Sequence, residues 1–259
     1  MKKIDKKEIE QDFKEGIEHK EFQIYLQPKM DIHTEEIVGA EALIRREKNG
    51  KQILPNAFIP IYEETGIITK LDMFVFEEIC KTMRKWKDKR FKLIPISVNE
   101  SRRHLYRRNH VKNLEKMIKH YQVKAENIEL EMTESAVVHD IEVAKEAERR
   151  VHELGFVVSM DDFGTGYSSF HMLREIKIDI LKIDKKFSDE ILEDERGKII
   201  LESIITMAKR LGIKTVAEGI ETKEQVEYLR KIGCDIIQGY YFAKPMPIEK
   251  FEQIYLNEK

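Results

Sequence analysis

The sequence predicts an α/β fold, a modified (β/α)8 TIM-type barrel whose first strand runs antiparallel to its second. Three observations carry that expectation. Eight apolar runs each end in a single polar or charged residue: Tyr25-Leu26-Gln27, Val38-Gly39-Ala40-Glu41, Ile96-Ser97-Val98-Asn99, Ile128-Glu129-Leu130-Glu131, Val157-Val158-Ser159-Met160-Asp161, Ile180-Leu181-Lys182, Thr215-Val216-Ala217-Glu218 and Ile236-Ile237-Gln238. A strand buried on both faces is written as an apolar run, and core packing gives no reason to place a carboxylate, amide or amine repeatedly at its last position. From Glu41 onward the runs alternate with helical patterns, which implies a parallel sheet. The length of 259 residues suits one barrel of about 250.

The elements follow in order. Ile9, Phe13 and Ile17 form the apolar stripe of an opening helix. The first run, Phe22 to Gln27, is followed by Pro28 and a polar stretch to Glu36, so the second run begins with no room for a crossover helix. Parallel neighbours need a dozen or more connecting residues, which makes the first two runs an antiparallel pair. A helix after Asn56 carries Phe58, Ile61 and Tyr62 and stops at Gly66; a longer one after Thr69 carries Leu71, Phe74, Val75, Ile79 and Met83. Leu105, Val111, Leu114 and Ile118 mark the next, after Ser101, and Val143, Ala147 and Val151 the one from about Asp140 to Leu154, with Gly155 as its C′ residue. A sixth stripe is Ile200, Ser203, Ile204, Met207, Ala208 and Leu211, stopped by Gly212. Thr222 and Gln225 make a capping box for the helix bearing Val226 and Leu229, ended by Gly233. Ile248, Phe251 and Ile254 close the chain.

Composition narrows the function. Hydrophobic residues at 41% can fill a sizeable core, and a net charge of −2 with 36% charged residues excludes a bulk polyanion binder. Any nucleotide chemistry must come from a local site. The basic run Arg102-Arg103-His104-Leu105-Tyr106-Arg107-Arg108 is expected to be a plain charged face or protein contact, not a DNA site. The stretch from Lys81 to Lys92 is expected to behave alike, with Trp86 as its packing anchor. Cys80 and Cys234 are expected to be buried, incidental thiols, which with the missing secretory leader points to a cytoplasmic protein. No run approaches the roughly 20 apolar residues of a membrane span, so no membrane insertion of this chain is expected.

The eight run-ending residues comprise four acids, three amides and one lysine. At a strand end, where the backbone turns, the neighbours Asp161 and Asp162 can both reach one metal pair. Without a cation, adjacent carboxylates repel and raise each other's pKa. Glu41, Asn99, Glu131 and Glu218 converge on the same mouth from other strands. Carboxylate and amide oxygens are hard ligands, suited to Mg²⁺ or Mn²⁺. No histidine or cysteine pair has zinc spacing. Lys182 in an acid-lined mouth is either a salt-bridge partner or a catalytic amine. The segment Asp162-Phe163-Gly164-Thr165-Gly166-Tyr167-Ser168-Ser169 suits a mobile lid or a tight turn. Its Asp-Phe-Gly triplet also occurs in protein kinases, but the glycine-rich ATP loop and His-Arg-Asp element are missing.

The ordered series Tyr25-Leu26-Gln27-Pro28, Glu41-Ala42-Leu43-Ile44-Arg45, Ser97-Val98-Asn99, Glu131-Met132-Thr133-Glu134, Asp161 to Ser169, Leu181-Lys182-Ile183-Asp184, Ala217-Glu218-Gly219-Ile220-Glu221 and Gln238-Gly239-Tyr240 resembles the EAL-domain phosphodiesterases. These hydrolyse cyclic di-GMP to the linear dinucleotide pGpG. The resemblance runs from about Phe22 to Pro247 and implies a single EAL-type phosphodiesterase domain over residues 1–259. It implies two divalent ions, Mg²⁺ or Mn²⁺, held by Glu41, Asn99, Glu131, Asp161, Asp162 and Glu218, with Lys182 contacting the nucleophilic water. Glu134 resembles the residue that anchors the Asp-Phe-Gly loop, and Glu221 a supporting acid. Gln27, Leu43 and Arg45 match positions that contact guanine and phosphate, and Gln238 the strand-end amide near the metal. A homodimer and sensor or diguanylate-cyclase partners are further implications. Two positions depart from the pattern: Arg46 stands where an aromatic residue is frequent, and Glu100 where leucine is. The alternatives are a catalytically idle cyclic di-GMP receptor and a metal-assisted lyase or isomerase. The first is disfavoured because every metal-type position and Lys182 are present.

Overall fold

The computed structural model describes residues 5–107, 109–133, 141–163, 173–185 and 194–256. Helix α1 (Lys6–Glu18) is capped by Asp5, whose carboxylate accepts from the Lys7 amide at 2.9 Å. Strands β1 (Phe22–Asp31), β2 (Ile37–Lys48) and β3 (Lys51–Ile53) are followed by α2 (Pro55–Thr65), which starts with proline at its first position, and by α3 (Ile68–Asp88). Then come β4 (Ile96–Asn99), α4 (His110–Tyr121), β5 (Ile128–Thr133), α5 (Ile141–Glu153), β6 (Val157–Phe163) and β7 (Ile180–Ile183). The described chain continues through α6 (Glu195–Leu211), β8 (Lys214–Ala217), α7 (Lys223–Ile232), β9 (Ile236–Ile237), β10 (Met246–Pro247) and α8 (Ile248–Phe251).

Eight of these strands close a barrel in the order β1-β2-β4-β5-β6-β7-β8-β9, with β9 returning to β1. Strand β1 is antiparallel to both neighbours, and pairings from β2 through β9 are parallel. The antiparallel start agrees with the short connection between the first two runs. The short strands β3 and β10, which pair with β2 and β1, carry no signal in the apolar runs.

Two expectations about the runs need correction. Gln27 and Glu41 do not end their strands. They face each other in register midway along β1 and β2, which continue past the mouth as an antiparallel pair, and Glu131 and Asp161 likewise precede the ends of β5 and β6. Nor are the runs apolar on both faces. Ser97, Glu129 and Ser159 are buried among apolar neighbours, so alternate positions line a polar barrel interior while Ile96, Ile128, Val158 and Leu181 pack outward with the helices.

Helix faces follow the predicted periodicity with four exceptions: Leu105 lies ahead of α4, which starts only at His110, and Ile254 in the closing segment is 53% exposed; the other two are in α5 and α6. In α5 the buried positions are Ala144, Glu148 and Val151, not Val143 and Ala147. In α6 Leu201, Ile204, Ile205 and Ala208 are buried, whereas Ile200 and Leu211 are exposed; the register is displaced by one residue. Trp86 is fully buried and stacks on Phe251 at 6.2 Å, confirming it as an anchor. A second apolar cluster of Phe13, Phe22, Phe58, Tyr62 and Leu71 fastens α1 to β1, α2 and α3.

Arg46 belongs to this second region. Its guanidinium lies over the Phe22 ring at 5.0 Å, so it retains an aromatic contact. It donates to Asp12 at 2.5 and 2.9 Å and to Glu21 at 2.9 and 2.7 Å, and Lys48 adds a 2.7 Å bond to Asp12. Both cysteines are free and buried, and burial pushes their thiols up to about 12 for Cys80 and about 11 for Cys234. No helix among the described residues is long and apolar enough to cross a membrane.

Candidate active site

The strand ends deliver their polar residues to one mouth. The Lys182 ammonium, fully buried at the end of β7, is the hub. It lies 2.8 Å from Glu131 Oε2, 3.2 Å from Asp161 Oδ1 and 2.8 Å from Glu218 Oε1. The contact with Glu218 lies outside hydrogen-bonding angles, so among the described residues Glu218 Oε1 is buried with no hydrogen-bond partner. Glu41 is held by amides instead. Gln238 Nε2 donates to Glu41 Oε2 at 2.5 Å and to Gln27 Oε1 at 3.2 Å, and Asn99 Nδ2 donates to Glu41 Oε1 at 3.3 Å. Gln27 in turn donates to the Ala243 carbonyl at 3.2 Å.

Local backbone chemistry sets these positions. Strand β6 slips register against β7 between Met160 and Phe163, and Asp162 takes a left-handed φ of 56°. Aspartate tolerates that region better than most side chains. The slip turns Asp161 toward Lys182. Gly239, next to Gln238, packs so closely on the Ile220 backbone that a Cβ would sit 2.0 Å from its carbonyl oxygen. Only glycine allows that approach.

Acids outnumber ammonium groups here, and the pKa values divide accordingly. Burial opposes the charge on Glu131, but the Lys182 and Lys29 ammonium groups overcome it and bring the pKa down to about 2. Burial pushes Glu218 up to about 8 against the pull of Lys182, with Asp161, Glu41 and Glu131 adding repulsion. Burial likewise raises Glu41. Asp162 rises to about 6 through burial, the adjacent Asp161 and a shared hydrogen bond with Asp184. Burial tends to neutralise Lys182, but Glu131, Glu218, Glu41 and Asp161 hold it well above the usual lysine value.

Among the described residues, no three His, Cys, Asp or Glu side chains converge at coordination distance; these acids surround an ammonium group instead. The donor set still fits hard divalent cations: carboxylates from four strands, the Asn99 amide, and two buried oxygens, Glu218 Oε1 and Gln238 Oε1, which have no hydrogen-bond partner among the described residues.

A cleft of about 710 Å³ adjoins the cluster through Asn99. Its walls include Leu43, Arg45, Pro55, Ile59, Pro60 and Asp72. Arg45 lies 5.7 Å from the Tyr25 ring. Glu221 is exposed and pairs with Lys185. Glu134 and Gly164 to Ser169 lie outside the described residues.

Sequence reasoning passed over three features. Lys29 and Glu129 lie buried inside the barrel; their signal was the i, i+2 pairs Gln27/Lys29 and Glu129/Glu131, polar on one strand face. Glu100 pairs with His110 at 2.8 Å, and His110 stacks on His104 at 3.9 Å. His104 is buried against Asp72 at 3.0 Å, which removes it from the plain charged face expected of its basic run.

The EAL domain family profile matches residues 10–245. Signaling protein YkoW of Bacillus subtilis is 35% identical over 246 residues, which is 95% of this chain and 31% of that protein. The probable cyclic di-GMP phosphodiesterase PdeB of Escherichia coli is 37% identical over 238 residues, 92% of this chain and 45% of that protein. The chain thus spans less than half the length of these relatives. A solved structure described as the PaMucR phosphodiesterase in complex with c-di-GMP superposes with a TM-score of 0.88 at 31% identity, covering 94% of this chain and 99% of that one. With sequence and barrel both aligned over nearly the whole chain, the protein belongs to the EAL domain family.

Proposed function

We propose that this chain hydrolyses cyclic di-GMP to linear pGpG with two divalent cations, Mg²⁺ or Mn²⁺. The observation that carries the reading is the excess of carboxylates around one buried lysine at the rim of a nucleotide-sized cleft. Relatives named as cyclic di-GMP phosphodiesterases support the substrate class. Glu41, Asn99, Glu131, Asp161, Asp162 and Glu218 are the residues that would hold the cations. When bound, such cations supply Lewis-acid activation of water and of the phosphodiester.

The remaining roles belong to the chain itself. The Lys182 ammonium sits 2.8–3.2 Å from Glu131, Asp161 and Glu218, so its role is to orient the attacking water by donating a hydrogen bond. Gln238 and Asn99 fix the Glu41 carboxylate. Arg45 suits a phosphate oxygen, and Leu43, Pro55 and Ile59 give a guanine face apolar contact. Gln27 adds an amide for the base edge, and Glu221 supports the mouth from its exposed position.

The test is product analysis after incubating the purified chain with cyclic di-GMP and Mg²⁺, Mn²⁺ or chelator. Metal-dependent appearance of pGpG is expected. Tight binding without turnover in either metal would show a receptor instead.

A further inference from the structure

We propose that Lys29 is a positioning residue for the hydrolytic centre, clamping Glu131 from inside the barrel through a charge-neutral pair with Glu129. This rests on the hydrolase reading above. Lys29 projects from β1, and Glu129 and Glu131 from β5, on another wall of the barrel. Its ammonium lies 3.0 Å from Glu129 Oε1, 3.0 Å from Glu129 Oε2 and 3.0 Å from Glu131 Oε1. An ammonium has three donors, and these contacts use them all. Lys29, Glu129 and Glu131 are each at most 3% exposed.

The arrangement answers a specific need. Glu131 presents Oε2 to Lys182 at 2.8 Å and Oε1 to Lys29. Two donors on two oxygens fix the plane of the carboxylate. A lone Lys29 would lower the negative charge available to cations at the mouth. Glu129 cancels that charge, so Glu131 gains a rigid partner while the mouth keeps its net acidity. Burying two extra charges costs more than an apolar filling of the same volume, and that cost argues for a role beyond packing.

Mn²⁺ binding by the full chain, followed by the electron paramagnetic resonance signal of free Mn²⁺, tests the assignment without turnover. Lys29→Met alone leaves Glu129 unpaired and risks misfolding. The Lys29→Met/Glu129→Gln double variant removes both charges and keeps similar volumes. Loss of a group that orients a metal ligand typically costs about 10–100-fold in affinity, and the double variant is expected to bind Mn²⁺ at least about tenfold more weakly while folding cooperatively. Its cyclic di-GMP turnover should fall in parallel. Wild-type Mn²⁺ affinity in the folded double variant would mean that Lys29 merely neutralises Glu129, overturning the assignment alone. A wild-type chain that binds no Mn²⁺ would overturn the hydrolase reading itself and the Lys29 role with it.

Discussion

Two charge networks in this molecule, one half-buried around Arg46 and one buried at the barrel mouth, differ in their charge balance. Around Arg46, two cations, Arg46 and Lys48, face two carboxylates, Asp12 and Glu21, with every contact between 2.5 and 2.9 Å. The Arg46 side binds α1 to β2 and ends there. At the mouth, Lys182 alone faces Glu131, Asp161 and Glu218, with Glu41 nearby, and Lys29 is already shared with Glu129. The balanced network lowers the Asp12 pKa, chiefly through the Arg46 hydrogen bond. At the mouth, burial pushes Glu218 up to about 8 and also raises Glu41, and the single nearby Lys182 does not offset it while the neighbouring acids add repulsion. A fold gains nothing from an acid it cannot ionise. On the proposed function, that excess charge is where cations and substrate would bind.

Removing either hub should separate the two networks. Lys182→Ala is expected to lower turnover of cyclic di-GMP by about 10²–10³-fold, the usual cost of losing one preorganised hydrogen-bond donor, with most substrate binding retained in calorimetry. Unchanged turnover would remove Lys182 from the mechanism. Arg46→Met should do the opposite, costing about 2–3 kcal/mol in urea unfolding. Breaking a buried ion pair costs more than that, and partial exposure of Asp12 screens it. Its Mn²⁺ affinity should match wild type; a matching loss there would show that the two networks are one.

A third expectation concerns pH. In the fold Glu218 has a pKa of about 8 against an ordinary 4.5, and Asp162 about 6 against 3.8. Between the ordinary and raised values the native chain holds protons that the unfolded chain has lost, so stability falls as pH rises through that window. Glu131, lowered to about 2, acts only in acid, where its contribution is lost as pH falls. Metal-free protein should therefore unfold at lower urea concentration at pH 8 than at pH 5.5. The slope should flatten in Glu218→Gln; equal slopes in the two proteins would contradict the Glu218 value. The smallest effect is expected at an uncharged network. The Thr222–Gln225 capping box of α7 should cost about 1 kcal/mol in Thr222→Ala with turnover unchanged.

The barrel was legible because its signals are local. Apolar runs alternate with capped helices, and the gap before Ile37 is too short for a crossover. The mouth residues were legible as polar side chains interrupting apolar runs, although Glu41, Glu131 and Asp161 do not end their strands. What stayed hidden was depth. Lys29 and Glu129 meet across the barrel interior, and nothing in either strand announces its partner. The α6 register slipped because Ile199, Ile200 and Leu201 offer three adjacent apolar choices, of which packing buries only Leu201. His104 looked like one more base in a solvated run until α3 supplied Asp72.

On the proposed function, the acids left unbalanced around Lys182 hold divalent cations. Calorimetric titration of the metal-free chain with Mn²⁺ at pH 7, in buffers of different ionisation enthalpy, tests it directly. The expected result is binding whose apparent heat changes with buffer, because cations displace the proton on Glu218, and a smaller buffer dependence in Glu218→Gln. Absence of binding, or heat identical in every buffer, would contradict it.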